Sequence, residues 1–261
     1  MAAVLGSADL AVGNLECPVS NRGARVSKPW TFRAAPAAMA VVARHFDAVS
    51  LANNHTGDFG TDALVDTLRR LREARVPSFG AGGDLAAAHT PLVIERNGLK
   101  IGLIGCNEFK PRAFEAGASQ PGVAWCEDEQ LLADLRAARA AGADVVIPFL
   151  HWGWENEPDP CPRQVALARR LIDAGADAVV GSHPHVTQGT ATWKGRPIVY
   201  SLGNFLFDGF RPGPNREGWI LRMVLDRQGV VRWDVTVVRM DERGVPTVAS
   251  RVEGPSGARG E

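Results

Sequence analysis

The chain has 261 residues, and its 29 Lys plus Arg balance 29 Asp plus Glu, so the formal net charge is zero. Hydrophobic residues at 45% and charged residues at 22% are globular proportions, enough to bury one large core or two small ones. Balanced charge excludes a chain built mainly to grip nucleic acid or an anionic membrane, and no run approaches the roughly 18 apolar residues of a membrane helix.

The N-terminus, MAAVLGSADL, has no basic n-region and only a short apolar stretch, so the chain as written reads as cytoplasmic, without signal or membrane segment. Residues 9–16, Asp-Leu-Ala-Val-Gly-Asn-Leu-Glu, read as a strand ending in a carboxylate. Residues 47–52 read as a buried strand, and Leu64, Leu68 and Leu71 mark the apolar face of the helix that follows. Residues 92–98 and 100–105 form a hairpin pattern around Asn97-Gly98. Residues 127–141 read as a helix closed by Gly142, 144–150 as a buried strand, 162–174 as a helix opened by Pro162, and 177–181 as a strand. From about residue 190 the pattern is strands alone, at 196–202, 218–225 and 230–238. The Gly-rich tail, 253–261, is expected to be disordered. These elements imply one α/β domain over residues 1–252 with two layers of sheet. Four cysteines, Cys17, Cys106, Cys126 and Cys161, are too scattered for a disulfide scaffold or a CxxC zinc site and read as ordinary thiols.

Four of the six histidines fall in polar segments that directly follow strands: Leu51-Ala-Asn-Asn-His55, Leu150-His-Trp-Gly-Trp-Glu155 and Gly181-Ser-His-Pro-His185. Ligand sites in open α/β sheets collect outside the carboxyl ends of strands, so these segments are expected to converge with Glu16. One histidine after a strand is usually a structural one; four beside Glu16, Glu155 and Asn54 point to a site. Imidazole, carboxylate and amide oxygen suit Mn, Zn or Fe, and the absence of thiolate argues against a structural zinc. His45 and His89 lack such company and read as structural, while Trp152 and Trp154 suit packing at the sheet rim as well as substrate stacking.

With these segments in order, the chain resembles the capsule-synthesis, CapA-type branch of the calcineurin-like metallophosphoesterase superfamily. The resemblance rests on Gly13-Asn-Leu-Glu16, Ser50-Leu-Ala-Asn-Asn-His-Thr-Gly-Asp58, His151-Trp-Gly-Trp-Glu155, Gly181-Ser-His-Pro-His185 and Tyr200-Ser-Leu-Gly-Asn-Phe-Leu-Phe207. It implies a four-layer α/β/β/α sandwich and a metal-dependent hydrolase or transferase associated with poly-γ-glutamate capsule or peptide-polymer synthesis. Glu16 then looks like the acid bridging two metals. Asn54, His151 and His183 look like ligands of the second metal, His185 like a ligand of the first, and His55 like the group that protonates a leaving group. Asn53 and Asn204 stand inside the matching motifs and are further site candidates. The family opens with a strand ending in Gly-Asp, whose aspartate binds the first metal. No counterpart stands ahead of Glu16, and Asp9 belongs to the Ala-Asp-Leu strand itself. The fold is therefore expected to lack the family's first strand, and the cofactor to be one divalent ion rather than two. Family members are often membrane-anchored or exported through an N-terminal segment.

Two other functions fit the same residues. One is metal-free acid/base chemistry on a peptide, such as epimerisation, using His55, His183 or His185 with Glu16 or Glu155. The other is an inactive scaffold subunit among the partners of a synthesis complex. No Walker loop or GxSxG elbow is present, and Gly80-Ala-Gly-Gly-Asp84 lacks the lysine of a phosphate loop. The loop at 108–125, with Lys110 and Arg112, and the segment at 211–216 suit an anionic substrate and solvated loops equally.

Overall fold

The computed structural model describes residues 1–109, 112–207 and 213–260. In chain order, α1 (Ala2–Leu5) precedes β1 (Val12–Asn14), and α2 (Met39–His45) leads into β2 (Ala48–Ser50). Next come α3 (Gly60–Glu73), β3 (Ser78–Phe79), β4 (Ala81–Gly82), α4 (Leu85–Ala88) and the hairpin β5 (Leu92–Arg96) and β6 (Leu99–Asn107). The middle continues through β7 (Gly122–Val123), α5 (Asp128–Ala140), β8 (Val145–His151), α6 (Pro162–Asp173) and β9 (Val179–Ser182). Strands alone complete the chain: β10 (Thr187–Trp193), β11 (Arg196–Leu202), β12 (Glu217–Asp226), β13 (Gly229–Met240) and β14 (Pro246–Ala258).

A six-stranded sheet in the order β10-β11-β9-β8-β6-β5 forms one inner layer. Its strands alternate as a two-residue period requires. Val145, Ile147 and Phe149 of β8 face the other sheets, whereas Val146 and Leu150 face α5 and α6. Leu131, Leu135, Leu167 and Leu171 close that outer layer. The second inner layer is in two pieces, β1-β2-β3 and β12-β13-β14. Trp233, Val235 and Val237 of β13 pack on the six-stranded sheet. Val49 and Leu51 pack outward on Leu64 and Leu71 of α3. The order of layers is thus α/β/β/α, as expected, and among the described residues β1 pairs only with β2, while β12 pairs with β13 and makes one antiparallel bridge from Gly218 to Gly203.

Two expectations are corrected. The tail is not loose: residues up to Ala258 pair with β13, with Gly257 opposite Trp233 and Ser256 opposite Asp234. Glycine there is what permits the pairing, because a Cβ on Gly257 would stand 2.8 Å from the Trp233 indole nitrogen. Composition read as disorder is instead close backbone packing. Cys106 and Cys126, read as ordinary thiols, are joined in a disulfide across 20 residues. Their meeting follows from pairing rather than spacing: Asn107 bridges Trp125, and the Cys126 amide donates to the Asn107 carbonyl at 3.1 Å. Cys17 and Cys161 remain free.

Candidate metal centre

Parallel pairing of β1 with β2, and of β6, β8, β9 and β11, aims their carboxyl ends in one direction. Glu16 follows β1, Asn54 and His55 follow β2, His151 ends β8, His183 and His185 follow β9, and Asn204 follows β11. The two inner sheets therefore deliver donors from both sides of one pocket. Gly181 makes the approach possible, since a Cβ there would lie 2.0 Å from the Tyr200 carbonyl oxygen and 2.3 Å from Nε1 of Trp152. His183 and His185 sit at φ of 103° and 58° on either side of Pro184. Left-handed backbone at non-glycine residues costs about 1–3 kcal/mol each and persists where the surroundings enforce it.

Three ligand atoms crowd around Nε2 of His151. Asn54 Oδ1 lies 2.9 Å away, His183 Nδ1 3.1 Å and Glu16 Oε1 3.5 Å. Nδ1 of His151 lies 3.1 Å from the Ser182 hydroxyl, which can accept its proton and leave Nε2 bare. Burial holds the His151 pKa well below the ordinary histidine value, with the neighbouring His183 adding to the effect. Burial likewise pushes His183 down to about 3, with His185 and His55 contributing. Both rings are therefore neutral and present lone pairs. Glu16 Oε1 and His183 Nε2 are buried with no hydrogen-bond partner. Desolvation raises the Glu16 pKa, against the opposing charges of His185 and His55. Neutral imidazoles, an amide oxygen and a carboxylate crowded together, with Glu16 Oε1 and His183 Nε2 left unpartnered, are a donor set that fits a divalent cation.

The opposite side of Glu16 is sparser. His185 Nε2 stands 3.7 Å from Glu16 Oε1. Its Nδ1 is 2.9 Å from Oδ1 of Asn204, whose amide nitrogen donates to the His185 carbonyl at 3.1 Å. Asn204 thus fixes which nitrogen of His185 faces the pocket. Glu16, His183 and His185 place ligand atoms within 4.8 Å of one another.

His55 forms a third part of the pocket. Asp58 Oδ2 lies 2.7 Å from its Nδ1, and the Phe32 ring packs at 4.5 Å. Lys28 pairs with Asp58 Oδ1 and donates to the Asn54 carbonyl at 2.8 Å. Asp58 is fully buried, and its Oδ2 also accepts from the Phe32 amide at 2.6 Å. Nδ1 being held by a carboxylate, Nε2 is the nitrogen left for chemistry.

The expected residues separate clearly by position. Glu16, Asn54, His151, His183 and His185 converge, with His55 beside them. Asn53 is a clamp, not a donor to the pocket: its Nδ2 donates to Asn14 Oδ1 and the Leu15 carbonyl, while its Oδ1 accepts from the His55 and Thr56 amides. Glu155 remains exposed at the mouth, where its charge adds to the rise in the Glu16 pKa. Trp152 is fully buried with Nε1 on the Tyr200 carbonyl, whereas Trp154 is exposed. His89 bonds Asp134 at 2.7 Å, a structural role. Asp84 caps α4 by accepting from the Ala87 amide. Arg112 is taken up by Glu115 and Glu127, which removes it as a free anion contact. Lys110 and Arg211 lie outside the described residues. Sequence reading missed Asn14, Ser182 and Lys28, and passed over Asp58 although it closes a quoted motif. Asn14 donates to Glu16 Oε2 at 2.8 Å. Asn14, two residues before Glu16, and Asp58, three beyond His55, carried usable local signals.

Residues 1–209 match the family described as bacterial capsule synthesis protein PGA_cap. The PGA biosynthesis protein CapA of Bacillus subtilis (strain 168) is 34% identical over 206 residues, covering 76% of this chain and 52% of that protein. The capsule biosynthesis protein CapA of Bacillus anthracis is 33% identical over 222 residues, covering 80% and 51%. The chain spans about half the length of the curated relatives it matches. Among solved structures, a 5'-nucleotidase precursor from Thermus thermophilus superposes with a TM-score of 0.54 at 19% identity, covering 81% of this chain and 42% of that one. That likeness is one of fold, and agrees with the metallophosphoesterase-type sandwich. The chain belongs to the bacterial capsule synthesis protein family.

Proposed function

We propose that this chain is a metal-dependent hydrolase or transferase acting in the synthesis of poly-γ-glutamate or a related peptide polymer. The observation that carries the reading is the convergence of Asn54 Oδ1, His183 Nδ1 and Glu16 Oε1 on Nε2 of His151. Each neutral ring carries a single N–H, which can sit in the Asn54 or His183 contact, but Glu16 Oε1 is left buried without a hydrogen-bond partner, and a cation would satisfy it. Glu16, Asn54, His151 and His183 would hold a Mn, Zn or Fe ion, with His185 reaching Glu16 from the other side. Such an ion polarises an ester or amide centre and lowers the pKa of bound water.

The chain's own groups account for the remaining work. His55, oriented by Asp58, is the proton donor to the leaving group, because its Nδ1 is occupied and its Nε2 is not. Lys28 ties Asp58 to the Asn54 backbone, so the acid and the donor set share one support. The names of the relatives, CapA and PGA biosynthesis, supply the substrate class. Glutamate polymers are polyanions, and a cation at the pocket floor suits them.

The test is chelation followed by metal return. Purified protein is stripped, reloaded with Mn, and assayed on bis-p-nitrophenyl phosphate and on poly-γ-glutamate, with new amine ends counted for the latter. Activity abolished by chelation and restored by Mn is the expected result. Full activity in chelator would sink the reading in favour of metal-free acid/base chemistry. Inactivity toward both probes, with a His55/His183 double alanine variant still complementing a capsule mutant, would sink it in favour of a scaffold subunit.

A further inference from the structure

Between Glu16 and Asp47 the chain carries five cations, Arg22, Arg25, Lys28, Arg33 and Arg44, and no carboxylate. Four of the five lie in one closed loop, residues 19–34. Val19 bridges Ala34, whose amide donates to the Pro18 carbonyl at 3.0 Å, and the Ser20 amide donates to the Ala34 carbonyl at 3.2 Å. A surface loop whose ends meet in this way is an Ω-loop, a class that often carries function. This one is pinned to the segment that holds His55. The Val26 amide donates to the Asp58 carbonyl at 2.9 Å, and the Phe32 amide to Asp58 Oδ2 at 2.6 Å. Gly23, at φ of 74°, lies where a Cβ would stand 2.0 Å from the Phe59 carbonyl oxygen. Lys28 turns inward to Asp58, and Arg22 lies 3.7 Å from Asp66. Arg25 and Arg33 are exposed and form no ion pair among the described residues; Arg33 lies over the Phe59 ring at 4.0 Å. Beside them the Trp30 side chain is 73% exposed.

The rest of the rim has the opposite charge. Glu155, Glu157 and Asp159 are exposed. Their segment is tied to the His185 side by the Asn156 amide, which donates to the Pro184 carbonyl, and by Asn215, which donates to Asn156 Oδ1 and the His185 carbonyl. Cations therefore stand on the His55 side of the pocket and carboxylates on the His185 side.

We infer that the 19–34 loop is a subsite for a polyanionic carboxylate chain, and that Arg25, Trp30 and Arg33 hold the leaving-group side of that polymer. The inference rests on the glutamate-polymer chemistry proposed for the adjoining centre. Position, charge and shape select the occupant together. The loop is anchored on the same Asp58 that orients His55, so a chain lying along it presents its bond to the proton donor. Two guanidiniums without carboxylate partners, carried on a pinned backbone, can each take a side-chain carboxylate through two parallel hydrogen bonds. The exposed indole offers a flat apolar face to the methylenes and amides between those carboxylates. Repulsion from Glu155, Glu157 and Asp159 keeps a polyanion off the opposite rim, which fixes the direction in which the polymer leaves the pocket.

The experiment measures binding of fluorescein-labelled poly-γ-glutamate by anisotropy, on the metal-stripped full chain and again after Mn is added. Arg25→Ala/Arg33→Ala should weaken binding by about tenfold or more, as loss of charge-assisted pairs does. Arg25→Lys/Arg33→Lys keeps the charge and should bind better than the alanine pair. If it binds no better, the loss is one of packing on Phe59, and the inference falls. Arg72→Ala/Arg136→Ala removes the same charge from exposed positions on α3 and α5 and should leave affinity within about threefold of the unaltered chain. A loss there equal to that of the loop pair would reduce the effect to net charge and overturn the inference. Equal binding by the unaltered chain and the loop alanine pair overturns it, as does no binding by the unaltered chain. Tighter binding of single-stranded DNA than of the polymer, lost in the loop pair, would make this a nucleic-acid subsite and overturn it too. The metal reading is tested apart. Activity undiminished by chelator, with polymer binding retained, sinks that reading alone, and Mn-dependent ester hydrolysis without polymer binding sinks this one alone.

Discussion

The two sides of Glu16 differ in how completely they are built. On the His151 side, ligand atoms from three other strand ends lie within 3.5 Å of one His151 nitrogen, and the rings are buried and neutral. On the His185 side the ring nitrogen stands 3.7 Å from Glu16, and an asparagine holds the ring. The contrast has a structural origin. The His151 side draws on both inner sheets, each bringing strands whose carboxyl ends point the same way. The His185 side adjoins a cleft between β1 and β12, where among the described residues no strand supplies a further donor. A centre assembled this way should hold one ion firmly through the first set and treat the second as auxiliary.

The largest expected effect therefore comes from His151→Ala. It should abolish metal retention, measured by plasma emission after gel filtration, and lower the proposed turnover of the Mn-loaded protein by about 10³-fold, as loss of a central electrostatic group does. Retained stoichiometry in that variant would break the comparison. Asp58→Asn comes next: metal content should stay unchanged while kcat falls by about 10²-fold, since general acids contribute on that scale. A fall in metal content instead would make Asp58 part of the metal support and not of the acid. His185→Ala should keep close to one equivalent of bound ion, which titration calorimetry with Mn can read directly. Asn204→Ala should weaken ion binding by at most about tenfold, the lower bound for an outer partner of a ligand.

Acid stability sharpens the comparison without any activity assay. His183 has its pKa pushed down to about 3 in the fold, against 6.5 for the unperturbed group, and His151 shifts the same way. Above about pH 6.5 both groups are neutral whether folded or not, and they cost nothing. As pH falls below that value the unfolded chain takes up protons that the fold refuses. Each such histidine then removes about 1.4 kcal/mol per pH unit. Glu16 acts in the opposite sense, its raised pKa making ionisation unfavourable in the fold as pH rises past 4.5, so its protonation offsets part of the loss from the two histidines. Metal-free protein should accordingly lose stability between pH 6.5 and 5, and His183→Ala should flatten that slope by about 1.4 kcal/mol per pH unit, read from urea unfolding. The smallest effect is expected for Glu155→Gln. Its carboxylate lies at the exposed mouth, so a change in kcat above about threefold would contradict its rim position.

Much of the site was legible because its signal is local. A histidine directly after an apolar strand, repeated with Asn54 and Glu16, can be read without coordinates. Glu155 shares the His151 segment, but the turn after Trp152 carries it out to solvent, a placement its position in sequence does not reveal. Ser182 and Lys28 were not legible. Their roles depend on atoms contributed by other segments, 31 residues away for Ser182 with His151 and 27 for Lys28 with His55. The disulfide and the last strand were misread on composition, since neither scattered cysteines nor a Gly-rich tail reveals which partner surface awaits it.

By itself the sequence determined the alternation of strands and helices, the polar tips of the strands and the chemical types gathered there. Those follow from apolar periodicity and from residue chemistry, both of which are written locally. Tertiary structure alone decided which tips meet, which nitrogen of each histidine faces inward, and that the cationic 19–34 loop is pinned beside them. These are properties of pairing across long sequence distances, where parallel register and burial set the geometry.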